Sequence, residues 1–382
     1  MADCEVLIVG AGVAGCAAAL GLLQAGVRRV LLVERAPDSA ARAVGESLTP
    51  DVIPALRALG VLPPAGAALP AWCWPYHANL SAWGSAQLSR HAFSARALAW
   101  RQTDAQGGAP HGLHVARAAM NTALRAQAQA AGAQLLQAAH VTGLQAPGAP
   151  GQPWRVQVAD VNGLQEIQAA FLLDAGGRRA PLVRHLGLQP QRLDNLVARV
   201  WRLDCAHDLD GCSLVESRPE GWWYAAPQAE GGCIAMLMSD ADLMESIDVP
   251  QAWRATRHLA RLLPAVPVAG DTMTVAAHSA FLPHSCGPGW AALGDAAMAF
   301  DPLTSSGVAA ALADARRMTP AILSWLAQDF HQALQIQQRC AQQLRAELQR
   351  YVAGLRRQYG AERRFAGAPF WARRHLSAAQ AA

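Results

Sequence analysis

The sequence predicts an α/β chain, α+β overall: a doubly wound parallel-sheet lobe interrupted by an antiparallel sheet, with helices at the C-terminus. Three observations carry that expectation. An apolar strand at residues 5–9 runs into Gly10-Ala11-Gly12-Val13-Ala14-Gly15, and a helical pattern at 17–24 and a second strand at 30–33 complete a βαβ unit ending on Glu34-Arg35. Far downstream, residues 290–293 form another strand-like run that ends in Gly294-Asp295 and leads to a helix from about Ser306. Between these, from about 192 to 282, short alternating runs (196–203, 212–216, 222–226, 233–238 and 273–281) read as β-sheet with a helix at 250–263.

The remaining elements follow in order. Gly45 marks a turn, and a helix is expected after Pro50. Residues 65–110, rich in Pro, Gly, Trp and His, read as an inserted segment with scraps of strand. An alanine-rich helix at 117–131 precedes strands at 134–144, 153–160 and 165–174, which meet Asp174-Ala175-Gly176-Gly177-Arg178. Thr319-Pro320 is the expected start of a long helix reaching about Tyr359, with proline at the first position. Its stripe of Leu344, Leu348, Tyr351, Val352, Leu355 and Tyr359 suits a docking seam, against the parallel lobe or against a partner. The tail, with Phe365, Phe370, Trp371, Arg373 and Arg374, caps the cleft, meets an acidic partner or frays.

Composition narrows the function. With 52% hydrophobic and 16% charged residues the chain is not broadly disordered. No run approaches the ~20 apolar residues of a membrane span, and the first strand begins without a basic leader, so a cytoplasmic protein off the membrane is expected. Eight scattered cysteines without a C-x-x-C pair point to reduced thiols. The net charge of +4 is spread over many segments, which speaks against nucleic-acid binding. All 32 basic residues are arginine. Chemistry that needs a lysine amine therefore has no bearer.

The glycine run carries the first chemistry. Gly10 permits the tight turn, Gly12 lets backbone approach a pyrophosphate, and Gly15 lets helix and strand pack closely. Val13 and Ala14 open the helix, whose free amides and positive dipole end face the phosphates. Glu34, nineteen residues after Gly15, suits a ribose hydroxyl pair, with Arg35 beside it. Asp295, at a strand end, stands where the ribityl chain of FAD would bond. Residues 301–308 lead into a helix, and Pro302, Ser306, Gly307 and Val308 bring its N-terminal amides to the flavin N1–C2=O edge. Asp174 and Gly176 fit either a loop near the pyrophosphate or a plain β-turn. No second glycine fingerprint is present. Reduction would then come from transiently bound NAD(P)H or from a separate flavin reductase.

In this order the motifs, with Gly45-Glu46-Ser47-Leu48 after the first βαβ unit, resemble flavoproteins of the p-hydroxybenzoate hydroxylase fold, in the branch that holds tryptophan halogenases. Residues 79–85, 111–117, 221–227, 359–365 and 369–371 are similar to the maturation flavoproteins of quinocofactor (cysteine tryptophylquinone) oxidases, the lysine and glycine oxidase modifying proteins. The resemblance spans nearly the whole chain. It implies a discontinuous FAD-binding domain at 1–70, 111–190 and 283–320, a substrate domain at 71–110 and 191–282, and a C-terminal helical region and tail at 321–382. It also implies that Arg117 braces the FAD, that Glu46 and Ser47 lie in a strap over the isoalloxazine ring, and that Val141 lies by the adenine. Arg42, before the strap, meets a phosphate or a surface acid. The halogenases of that branch use a lysine and a W-x-W-x-I-P signature. Here the counterpart is Trp222-Trp223-Tyr224-Ala225-Ala226-Pro227, and lysine is absent.

The resemblance thus implies an FAD-dependent monooxygenase that hydroxylates a tryptophan side chain, on a precursor protein of a quinocofactor-containing oxidase or dehydrogenase. Two alternatives stay open: a hydroxylase, halogenase-like enzyme or reductase acting on a small aromatic or carrier-bound substrate, and a flavin-binding chaperone of a quinoprotein precursor. The candidate catalytic residues are Trp222, Tyr224, His77 and His278. Trp72, Trp74, Trp83 and Trp223 could join Trp222 in an aromatic pocket wall or be core packing. No metal site is expected, because His278 and His284 have no further ligand at metal spacing.

Overall fold

The structure, a computed structural model, describes residues 3–36, 46–93, 111–203, 209–228, 231–263, 266–267 and 272–379; Arg42, Gly45 and the side chain of Glu46 lie outside the described parts. Four parallel pairings set the first lobe. Strand Cys4–Val9 lies between Val30–Val33 and Gly163–Asp174, Gln134–Leu136 adds beyond Val30–Val33, and Trp290–Ala292 returns beside Gly163–Asp174. Near-continuous aliphatic runs suit strands buried on both faces. One face packs under the helices Val13–Gln24 and Gly307–Leu326, the other under Leu182, Val183 and Phe281. The fold is thus mixed α/β.

The second lobe is a seven-stranded sheet in the order Thr272–Ala276, Leu196–Leu203, Cys233–Asp240, Gly221–Pro227, Cys212–Arg218, Ala78–Ala82 and Ser89–Ala92. Each pairing is antiparallel except Ala78–Ala82 with Cys212–Arg218. Strand Cys73–Tyr76 belongs elsewhere: it pairs with Gly112–Val115, which also pairs with Glu46–Leu48, in a separate three-stranded sheet. That small sheet holds His114 and Ser47 close to the larger one.

Several expected boundaries shift. The single helix at 250–263 is two, Val249–Arg254 and Leu259–Leu262, and the strand at 134–144 is two, Gln134–Leu136 and His140–Gln145. Pro320 does not start a helix; it lies inside Gly307–Leu326. The break comes at Gln328, at φ +63°, and Asp329 caps the next helix, Phe330–Gly360, by accepting from the Gln332 amide at 3.0 Å. Packing of Ala321, Ile322 and Trp325 into the first core offsets the hydrogen bond that Pro320 cannot donate. The tail does not fray over its described length. Tyr359, Phe370 and Trp371 are buried against one face of the seven-stranded sheet, and Arg374 pairs with Asp240 at 2.9 Å.

Candidate active site

The glycine turn has the geometry that three distinct roles require. Gly10 sits at φ +102°, and a Cβ there would strike the Ala175 carbonyl; a Cβ on Gly15 would strike the Gly10 carbonyl. Gly12, the residue before the first helix, has nothing within 4 Å of an added Cβ. The two glycines on either side are locked by the protein, and the middle one faces open space. That arrangement fits a bound pyrophosphate. Val13 is buried in the core and Ala14 packs against it.

Glu34 already has two backbone partners. Its two carboxylate oxygens accept from the Ala11 and Ala36 amides at 2.8 and 2.9 Å, tying the second strand end to the glycine turn. A carboxylate retains lone pairs for a sugar hydroxyl after two such bonds. Arg125, absent from the sequence candidates, donates from Nε to the Ala11 carbonyl at 3.1 Å while buried under the helix Arg117–Ala130. Its signal was an arginine on the Met120, Leu124 and Ala128 stripe.

Two cavities meet at this end of the parallel sheet, sharing the Arg178 and Asp295 side chains as walls. Arg178 Nε lies 3.5 Å from Asp295, and its terminal nitrogens donate to the carbonyls of Phe300, at 2.9 Å, and His278. The sequence candidates passed over Arg178. The larger cavity, about 1120 Å³, is lined by Arg35, Arg178, Arg179, Arg184 and Arg192 together with Ala36, Gly176 and His278. Burial, with Arg178 and Arg192 nearby, holds the His278 imidazole below its usual pKa. This is a polyanion site by charge.

The smaller cavity, about 510 Å³, lies between the lobes. Its parallel-lobe wall is Arg117, Asn121, Asp295, Pro302, Ser305, Ser306 and Gly307; its sheet wall is Ala198, Trp222, Tyr224, Met236, Met238 and Val275, with Ser47 at the side. Ser305 takes a left-handed φ of +49°, and the helix beginning at Gly307 points its N-terminus into this space. Val308 instead is buried in the core behind it. Arg117 Nε donates to Asn121 at 3.3 Å. Burial lowers its guanidinium pKa, with Asp295 opposing.

Other sequence candidates are held as follows by the surrounding fold. Asp174 is turned inward, accepting from the Gly176 and Val183 amides at 2.9 Å each, and burial pushes its carboxyl up to about 6. Val141 is buried in the core of the parallel lobe. His77 is exposed beside Gly211 and lines neither cavity. Trp222 presents its ring to the smaller cavity, but its N–H donates to the Tyr359 hydroxyl at 3.0 Å, which donates to Asp301 at 2.8 Å. Trp222 is a wall. Trp83 packs edge-on against Trp222 and Trp371, Trp223 sits on the opposite face with Trp201 and Trp253, and Trp72 packs against the first core. The tryptophans seal the sheet to its neighbours; of the five candidates Trp222 alone lines the described cavities.

A family model described as an FAD binding domain matches residues 3–258. LodB of Marinomonas mediterranea, named as an FAD-dependent oxidoreductase, is 29% identical over 392 residues, covering 99% of each chain. Among solved structures, the flavin-dependent halogenase CmlS superposes with a TM-score of 0.79 at 22% identity, over 98% of this chain and 68% of that one. The peptidyl tryptophan dihydroxylase QhpG, essential for tryptophylquinone cofactor biogenesis, superposes at 0.68 with 24% identity, over 98% of this chain and 79% of that one.

Proposed function

The chain belongs to the FAD binding domain family, a family of FAD-dependent oxidoreductases, and from that premise we propose that it is a monooxygenase acting on a tryptophan side chain of a quinoprotein precursor. The observation that carries this reading is the smaller cavity. A helix N-terminus and a carboxylate suited to a flavin face an apolar wall of ring size across about 510 Å³. The likeness to LodB along the whole chain, and the tryptophan-directed name of QhpG, support the choice of substrate.

In this reading Gly12 leaves room for the pyrophosphate, Glu34 meets a ribose, Asp295 the ribityl chain, and the amides at Gly307 the N1–C2=O edge. Arg117 braces the cofactor and Ser47 borders the ring. When bound and reduced, FAD supplies the two electrons that let dioxygen deliver one oxygen atom to an arene, the other leaving as water. The chain's own part is to hold the arene against the flavin, keep water out with Trp222, Met236 and Met238, and fix charge with Arg178 and Asp295. Five arginines around the larger cavity exceed what the two phosphates of FAD need. Transiently bound NAD(P)H and a separate flavin reductase are both compatible with that lining as the source of electrons.

The test is oxygen uptake and NAD(P)H oxidation by the FAD-loaded protein alone, with and without the precursor. Uptake stimulated by the precursor supports the reading. Unstimulated uptake, with a precursor that still binds, favours a chaperone.

A further inference from the structure

The wall of the smaller cavity carries one polar interruption on its sheet side, the Tyr224 hydroxyl, which ends a run of hydrogen bonds through Ser47 and His114. The His114 Nε2 lies 3.3 Å from the Gly211 carbonyl, and a carbonyl can only accept. The imidazole is buried, which pushes its pKa down to about 4, so it is neutral and carries one proton. That proton is on Nε2, which leaves Nδ1 bare. Ser47 Oγ, 2.8 Å away, must therefore donate to Nδ1. With its own hydrogen spent, Ser47 can meet Tyr224, 2.6 Å away, only as an acceptor. The phenol proton of Tyr224 is thereby committed to Ser47. The Ser213 hydroxyl also lies against Tyr224; it donates to Asn79 Oδ1 at 3.3 Å and so meets Tyr76, 2.8 Å away, as an acceptor, which leaves it no hydrogen for Tyr224.

We propose that Tyr224 is a substrate-orienting acceptor, its proton turned toward Ser47 and a lone pair of its oxygen left to the cavity, so that it selects an aromatic ring carrying an N–H. The proposal rests on the reading of this cavity as the ring site, and it deepens that reading by naming what the ring must offer. An apolar wall of Ala198, Trp222, Met236 and Met238 with one acceptor in it matches an indole, which is a flat hydrocarbon surface with one donor. The chain of bonds ends on a carbonyl, which takes up no proton. It works as a lock on orientation, and it does not conduct protons to the surface. Because the three side chains come from three separate strands, Glu46–Leu48, Gly112–Val115 and Gly221–Pro227, the lock also ties the small sheet to the large one.

The test uses the FAD-loaded protein and two probes of the same shape, indole and benzofuran, which carry a donor and an acceptor at the same ring position. Binding is read from the perturbation of the visible absorption of the bound flavin. Indole should bind roughly three to ten times more tightly than benzofuran, the worth of one neutral hydrogen bond. Tyr224→Phe should erase the preference. Ser47→Ala should release the Tyr224 proton, so that benzofuran gains while indole does not; a merely structural loss would weaken both. Equal binding of the two probes to the wild type, or a preference that survives Tyr224→Phe, overturns the proposal and leaves the ring site standing. If neither probe binds, the ring site itself fails and the proposal with it.

Discussion

The two cavities that meet at Arg178 and Asp295 are built on opposite principles. The larger is walled by five guanidinium groups and suits a ligand recognised by charge, which acts over the ~10 Å reach of electrostatics at ordinary ionic strength. The smaller has an apolar sheet wall in which the one hydroxyl, on Tyr224, is already hydrogen-bonded to Ser47 at 2.6 Å. One wall suits the attraction of an anion from a distance and the other suits discrimination at contact. Arg178 joins them, because the same side chain that faces the arginine cavity braces the Phe300 carbonyl just before the Asp301–Gly307 segment.

The largest expected effect is at the glycine turn. Gly12→Val should abolish flavin binding, because the Cβ enters the open space that a pyrophosphate needs while meeting no protein atom that would unfold the turn. A folded, fully yellow variant would place the cofactor elsewhere. The neutral wall can be tested through pH. His114 has its folded pKa near 4 against an ordinary 6.5, so between those values the unfolded chain binds the extra proton. Its stabilisation is complete above about pH 6.5 and is lost as pH falls toward 4, on the order of 3 kcal/mol across the window. Chemical denaturation of wild type and His114→Gln at several pH values should show that difference shrinking in acid. A constant difference would mean the imidazole is charged or solvated, and the acceptor argument for Tyr224 would lose its base.

Asp295→Ala should loosen FAD by about 1.5–3 kcal/mol, roughly tenfold to a hundredfold in Kd. Asp295 also pairs with Arg178, so Asp295→Asn should recover part of the loss if hydrogen bonding matters more than charge. Unchanged affinity in a flavin titration would remove Asp295 from the cofactor site. The smallest effect is a null. Reduced FAD, oxygen and bromide supplied with free tryptophan should give no bromotryptophan above a peroxide control, because the chain has no lysine to carry the halogen. Product above that control would bring the protein back to its halogenase neighbours.

The glycine turn was legible in the sequence because it is built from backbone, whereas of the five arginines around the larger cavity only Arg35 was a candidate. Gly10, Gly12 and Gly15 are chosen for the absence of a Cβ, and the order of glycine turn, Gly294-Asp295 and Asp301–Gly307 follows the strand order of a parallel sheet. The neutral side was not legible as an arrangement. Ser47, His114 and Tyr224 are 67 and 110 residues apart along the chain, and no local pattern announces that three strands bring them within hydrogen-bond distance. The reading of Pro320 failed because packing outweighed a local preference, and the true break at Asp329 carried a capping signal with Gln332 three residues on. The choice between pocket wall and core packing stayed open for the tryptophans for a related reason: abundance in one segment does not say which face of a sheet each ring takes, and Trp222 and Trp223 take opposite ones.

The measurement that bears most directly on the central claim is the mass of a quinoprotein precursor before and after turnover with the FAD-loaded protein, NAD(P)H and oxygen, with the modified residue located by fragmentation. The account predicts the gain of one or two oxygen atoms on a tryptophan, lost in Gly12→Val. A precursor that binds, stimulates oxygen uptake and leaves with its tryptophans unchanged would contradict it.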